Sequence, residues 1–167
     1  MLKNILICAC FLAVVDPVVS EALRGASGSD VTFSGTAKTC FNSAIVPVTN
    51  VSVGFYRVSS ARPLMAHLDS MATFPGFGVD GADSVAANQF DALESTMQHM
   101  AITTPAILRR TSAADGTFSI TISPVDSILV LGYANMEDEP YVYDFKVMPG
   151  TVSRSFVLDM SRGQCGF

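Results

Sequence analysis

The 167-residue chain has no tryptophan, two histidines, four cysteines and only 15% charged residues. Each scarcity excludes something. Little charge beside 49% hydrophobic residues is the reverse of a disordered composition. The formal charge is −5, so no basic excess is available to bind nucleic acid or anionic lipid. No CxxC pair, GxSxG elbow, phosphate loop or dinucleotide fingerprint occurs, which removes the recognisable redox, hydrolase and nucleotide motifs. No apolar run reaches the roughly 18–20 residues that a membrane-spanning helix needs.

The longest apolar run, residues 5–15, follows Lys3 and ends at Asp16 and Pro17. Small residues then stand at cleavage spacing, for a cut after Ser20 or Ala22. A basic start, a short apolar core and small residues before a cut are the parts of a secretory signal. Residues 1–22 are therefore expected to be removed, leaving 23–167 as a single domain that is secreted or periplasmic. Cys8 and Cys10 would leave with the signal, and Cys40 and Cys165 would remain. An even pair in an exported chain reads as a disulfide, here one that fastens the C-terminal tail across a long loop.

The rest of the chain is patterned for strands. In 117–122, Phe118, Ile120 and Ile122 alternate with Thr117, Ser119 and Thr121. Val51, Val53 and Phe55 alternate with Ser52, Gly54 and Tyr56. Val31 and Phe33, the stretch 141–147, and Phe156 with Leu158 repeat the pattern. Such alternation marks strands with one buried face. The run 127–133 is apolar at both parities, as in a strand covered on both sides. Asp115-Gly116 and Pro149-Gly150 read as turns, the first as a tight hairpin. The expected fold is a mainly β, Greek-key antiparallel sandwich of about seven strands, the seventh near Thr111.

Residues 62–104 break the pattern. Pro63 suits a first helical turn, and Leu64, Met65, Leu68 and Met71 follow at helical spacing. Phe90, Leu93, Met97 and Met100 form a second stripe on a helix over about 85–101. A Gly-rich loop with Phe74 and Phe77 joins them. This is expected to be a helical insertion between the second and third strands. Deleting it would leave a folded sandwich if it serves recognition alone, and would abolish folding if it belongs to the core.

The run FSGTAK, the segment PVTNVSVGFYRV and the segment RRTSAADGTFSITI together resemble carboxypeptidase regulatory-like domains, which share a transthyretin-like sandwich. The resemblance implies an exported accessory or binding module without catalytic residues or cofactor. An iron dioxygenase family uses the same fold with two Tyr and a close His pair. His67 and His99 have no such spacing, so that chemistry does not transfer.

The functional expectation is a non-catalytic binding or structural module whose helical insertion recognises an unidentified protein or cell-surface partner. Two alternatives stand beside it. Imidazole and thioether suit copper, and His67, Met65, Met71 and His99 would be the ligands; against this, methionine at helical spacing is ordinary core filling. A hydrolase of unknown type is the other. Phe74 and Phe77 are candidate partner-binding residues if exposed, and candidates for packing the helices if not. Asp80 with Asp83, and the run 137–139, offer oxygen to calcium without a known ligand spacing. Asn50-Val51-Ser52 is a glycosylation sequon in a eukaryotic host.

Overall fold

A computed structural model describes residues 29–41, 44–74, 84–134 and 142–161. The expected signal segment, Phe77, the acidic runs at 80–83 and 137–139, and Cys165 lie outside those residues. Eight strands and two helices follow in order: β1 (Val31–Phe41), β2 (Ala44–Pro47), β3 (Ser52–Arg57), α1 (Arg62–Ala72), α2 (Ser84–Thr103), β4 (Leu108–Thr111), β5 (Thr117–Ile122), β6 (Ser127–Ala134), β7 (Val142–Pro149) and β8 (Arg154–Asp159).

The strands form two four-stranded sheets. In the first, the long β1 pairs with β2, β5 and β8; in the second the order is β4-β3-β6-β7. The chain crosses between sheets at β2–β3, β4–β5, β5–β6 and β7–β8, which gives the β-sandwich that the alternation implies. Phe33, Ile120 and Leu158 from one sheet meet Val53, Phe55, Ile128 and Val130 from the other. Gly35 lies opposite Phe118 on one neighbour and Phe156 on the other. A Cβ there would collide with the Phe118 ring, so the glycine is what lets two aromatic side chains close over β1.

The helices make a third layer on the outer face of the second sheet. β6 is the hinge of this arrangement: Ile128 and Val130 point into the sandwich, while Leu129 and Leu131 point under the helices. Leu64, Leu68 and Met71 of α1 and Met97 and Ala101 of α2 close over Tyr56, Leu129, Leu131 and Tyr143. Leu129 and Leu131 are both 0% exposed, which neither sheet alone could achieve. The helical stripes therefore follow from core packing. An α-helix gains most of its stability in a protein by burying such a face.

Several expectations need correction. A strand, β2, was hidden because it is only four residues long, ends on Pro47 and leaves Ile45 exposed. The insertion consequently lies between the third and fourth strands. The sheets are not wholly antiparallel, because β8 runs parallel to β1. Asp115-Gly116 does turn the chain, with Gly116 at φ 75 and Asp115 Oδ1 accepting from the Thr117 amide and hydroxyl. It is not a hairpin, since β4 pairs with β3 while β5 pairs with β1.

The disulfide expectation is also corrected in its role. Among the described residues no disulfide bond joins two cysteines. Cys40 is the sole cysteine there, is not a free thiol, and its expected partner Cys165 lies outside them. What fastens the C-terminal strand in the described structure is backbone pairing: β8 lies in register with β1 from Phe33↔Arg154 to Lys38↔Asp159. Met160 N–H adds a bond to the Lys38 carbonyl at 2.7 Å. From β7, the Asp144 carboxylate accepts the Asp159 amide at 2.8 Å and pairs with Lys146 at 3.0 Å.

The three-layer packing makes a prediction. Leu129→Ala empties a fully buried site beneath the helices and is expected to cost about 2–5 kcal/mol in urea unfolding. Replacing residues 62–104 by a short Gly-Ser link is expected to abolish the cooperative transition. A sharp melt with native near-ultraviolet dichroism in the deletion variant would contradict an integral helical layer.

Candidate functional site

The C-terminus of α2 is where the helices meet the sheet most specifically. The last carbonyls of a helix lack intrahelical partners and carry the negative end of its dipole. The last turn of α2 contains no basic residue. The sheet supplies one instead. Arg109 on β4 donates through Nη2 to the carbonyls of Ala101 (2.9 Å), Ile102 (2.9 Å) and Thr104 (2.7 Å). The Tyr56 hydroxyl on β3 donates to the same Ala101 carbonyl at 2.8 Å. The Arg109 guanidinium carbon stands 5.7 Å from the Tyr56 ring centre, within cation–π range.

Gly54 makes this geometry accessible. It pairs with Arg109 across the β3–β4 ladder and shares a face with Tyr56 two residues on. A Cβ at Gly54 would collide with the Tyr56 ring, so the ring lies down along β3 only because that carbon is absent. Burial pushes the Tyr56 phenol above its ordinary pKa; the Arg109 charge opposes this and the Tyr133 phenol adds to it.

Beside the Tyr56–Arg109 stack the second sheet emerges from under the helices, and a groove of about 280 Å³ opens there. One row of side chains crosses it in register, Thr111 on β4, Ser52 on β3 and Tyr133 on β6. The neighbouring row holds Arg109 and the bare Gly54. Arg110, between Thr111 and Arg109 on β4, pairs with the core-facing Val53 and so belongs to the other face of the strand, bordering the groove at its edge. Among the described residues no carboxylate lines the groove. The arrangement offers the Arg109 guanidinium, aliphatic and phenolic hydroxyls, and two aromatic rings.

The residues singled out from sequence fall elsewhere. His67 on α1 sets Nε2 2.8 Å from the Leu93 carbonyl. A carbonyl only accepts, so Nε2 carries the proton and bridges the two helices. Met71 is fully buried, Met65 packs against the helix-layer core, and His99 faces solvent on α2. His67 and Met71 share α1, but the structure spends one on a helix–helix hydrogen bond and the other on the core. Among the described residues no group of three or more His, Cys, Asp or Glu side chains comes together. Phe74 is half-buried and packs its ring 5.7 Å from that of Phe90, so it joins the two helices. Asn50 is exposed, in a left-handed turn at φ 57.

Tyr56, Arg109, Arg110 and Tyr133 had no sequence signal as a site. Tyr56 alternates with the inward Val53 and Phe55, Tyr133 ends a run that is apolar at both parities, and no site motif includes Arg109 or Arg110. A residue-poor signal did exist: a 20-residue helix without a basic last turn must find its cap from elsewhere. A second surface is also new. The outer face of the first sheet is paved with hydroxyls, with Thr32 bonded to Thr121 at 3.1 Å and Ser34 to Ser155 at 2.9 Å.

Comparison with protein-family models and with curated proteins finds no match. Solved structures with similar folds include a provisionally assigned carbohydrate-binding protein of Pseudomonas aeruginosa. It is 14% identical with a TM-score of 0.42, over 78% of this chain and 88% of that one. The shaft pilin SpaA of Lactobacillus rhamnosus GG is 10% identical with a TM-score of 0.37, over 78% of this chain and 49% of that one. The pilus backbone protein RrgB of Streptococcus pneumoniae is 9% identical with a TM-score of 0.26, over 77% and 41%. This chain thus spans about half the length of the pilin SpaA. Likeness at these values carries no functional argument. The β-sandwich class stands on the strands themselves, and no match supports the narrower carboxypeptidase regulatory-like assignment. Among the described residues no helix is long and apolar enough to cross a membrane.

The clamp on α2 predicts a pH signature. Tyr56→Phe removes one buried hydrogen bond and is expected to cost about 1 kcal/mol, since Ala101 keeps its bond from Arg109. Arg109→Met should cost about 1–2 kcal/mol, because α2 loses its cap and the charge at its negative end. Folding raises the Tyr56 pKa, so the unfolded chain releases that proton first. The stability linked to it is complete below about pH 10 and lost as pH rises through the folded-state value. Urea titrations at increasing alkaline pH should show this loss in the native chain and a smaller one in Tyr56→Phe.

Proposed function

We propose that the chain is an exported, non-catalytic binding module whose site is the groove over β3, β4 and β6 beside the Tyr56–Arg109 stack. The observation that carries this reading is the set of hydroxyls on Ser52, Thr111 and Tyr133, aligned on three neighbouring strands and without protein hydrogen-bond partners among the described residues. Polar groups held on strands of a rigid sheet are preorganised to recognise a ligand, because little ordering remains to be done when it arrives. The signal-like residues 1–22 support export, and the fold resemblance noted for the strands points the same way. The helical insertion has its inner faces committed to the core, and its part in recognition is indirect, through the Tyr56 and Arg109 side chains that hold the end of α2 and line the groove.

Non-catalysis is supported by how the nearby reactive groups are used. The Tyr56 hydroxyl and Arg109 Nη2 are both turned toward the α2 backbone. Partners on this reading are a small molecule or an exposed group on a cell surface.

The test is native mass spectrometry of the full chain, expressed with its first 22 residues and recovered from the export compartment. The expected result is a chain beginning after Ser20 or Ala22 that carries an adduct lost on denaturation. Thr111→Trp, at an exposed rim position, should abolish the adduct without lowering the melting temperature. An uncleaved cytoplasmic chain would contradict export. An adduct that survives Thr111→Trp would place the site elsewhere.

A further inference from the structure

A sheet edge is a row of unpaired amides and carbonyls, and proteins guard such edges with charge, proline or very short strands. Most edge strands here are guarded. β2 and β4 are four residues long, β2 ends on Pro47, and β4 holds Arg109 and Arg110. β7 holds Asp144, Lys146 and Pro149, and β8 holds Arg154 and Asp159. β5 reads Thr-Phe-Ser-Ile-Thr-Ile, with neither charge nor proline. We propose that the open edge of β5 takes up an extended segment of a partner protein as an added strand, which sets one apolar side chain against Leu108 and one acidic side chain against Arg110. The site is separate from the groove, whose row of Thr111, Ser52 and Tyr133 faces the other side of the second sheet.

The backbone of β5 is free where a new strand needs it. Odd-numbered residues of β1 turn their backbone groups toward β5 and β2. Ala37 donates to the Gly116 carbonyl and accepts from Val48, while its neighbour Lys38 accepts from Met160 on the β8 side. Val31, Phe33 and Gly35 pair with Ile122, Ile120 and Phe118, so those three residues of β5 bond back to β1. Thr117, Ser119 and Thr121 therefore aim their amides and carbonyls away from the sheet. The turn uses those of Thr117, with Asp115 taking the amide and Ala113 donating to the carbonyl. Those of Ser119 and Thr121 have no partner among the described residues. A strand laid beside them gains about four backbone hydrogen bonds.

The second sheet selects the side chains of that strand. β5 lies against β3, where the Phe118 and Phe55 ring centres are 6.3 Å apart. β4 is the next strand out in the second sheet and so overhangs the position beside β5. Leu108 pairs with Phe55 and Arg110 with Val53, both core residues, so Leu108 and Arg110 face that position. Leu108 is half-buried, and Arg110 is exposed and in no ion pair among the described residues. Packed sheets stand about 10 Å apart, a gap filled by side chains from both. Alternate residues of an added strand point into it, so residues two apart meet Leu108 and Arg110. An apolar residue extends the contact with Leu108, and a carboxylate matches the guanidinium fork. A second copy of β5 offers only Phe118, Ile120 and Ile122 on that face, and it would bring another Arg110 toward the first.

The test follows a fluorescent peptide, Thr-Glu-Thr-Val-Thr-Glu-Thr, by anisotropy against the full processed chain. Its central Val and flanking Glu present the apolar and acidic groups two apart in either chain direction. Saturable binding is expected, about fivefold weaker when both Glu become Gln. N-methylation of the two Thr that flank Val removes the amides facing β5 and should abolish binding. Arg110→Gln should make the Glu and Gln peptides equal, with an unchanged melting temperature. Ser119→Pro, which removes an outward amide at an edge, should weaken both peptides alike. No binding of the Glu peptide would overturn the proposal, as would equal affinity of the Glu and Gln peptides for the native chain. Full affinity of the N-methylated peptide would also overturn it. So would a dimer in sedimentation that Ser119→Pro dissolves while the peptide stays unbound, because a second copy would then occupy the edge.

Discussion

The carbonyl of Ala101 accepts from two directions at once, from the Tyr56 hydroxyl and from Arg109. Most of what distinguishes this sandwich depends on that convergence. A helix of 20 residues ends there with its negative pole against the sheet. Unsatisfied carbonyls in that position would cost free energy and let the helix fray. Arg109 satisfies three of them while its positive charge faces the dipole. Tyr56 reaches the fourth contact from below, and Gly54 keeps the space that its ring needs. A backbone position, an aromatic ring and a guanidinium thus stack over two paired strands to hold one end of the helical layer.

With α2 held, the second sheet is buried on both faces. That is unusual for an antiparallel sheet, which commonly leaves one side to water. It explains why β6 is apolar throughout and why the helices carry so few charges on their inner faces. It also places the groove. The helix layer stops at the row of Thr111, Ser52 and Tyr133, leaving polar side chains at the boundary between covered and open sheet. A site there inherits the rigidity of the core on one side and access to solvent on the other. The same clamp that stabilises the helix therefore shapes one wall of the candidate binding site.

Local pattern was legible in the sequence wherever burial alone decided the outcome. The alternation of Phe118, Ile120 and Ile122 became an inward face, and the two-sided run in β6 became a strand between two layers. Pro63 and the Leu64, Leu68, Met71 spacing became α1, and both stripes of the insertion point inward. Pairing between distant segments was not legible. Nothing in 154–159 announces that it runs parallel to β1, and nothing near Asp115 says that the chain changes sheets there. The site was missed for the same reason: Tyr56 and Arg109 meet at a helix end that is 45 and eight residues away from them in sequence. The histidine–methionine cluster suggested a ligand set because its residues are neighbours in the chain. Three dimensions separate them, since one face of each helix goes to the core and the other to water.

The central claim is that helices and sandwich form one cooperative body closed at Ala101. Native-state hydrogen exchange measured at increasing denaturant tests it most directly. The account predicts that slowly exchanging amides around Met97–Thr103 of α2 and those of β6 open with the same free energy and the same denaturant dependence, as parts of one unit. Exchange of the α2 amides through a separate opening of much lower energy, with β6 still protected, would contradict it.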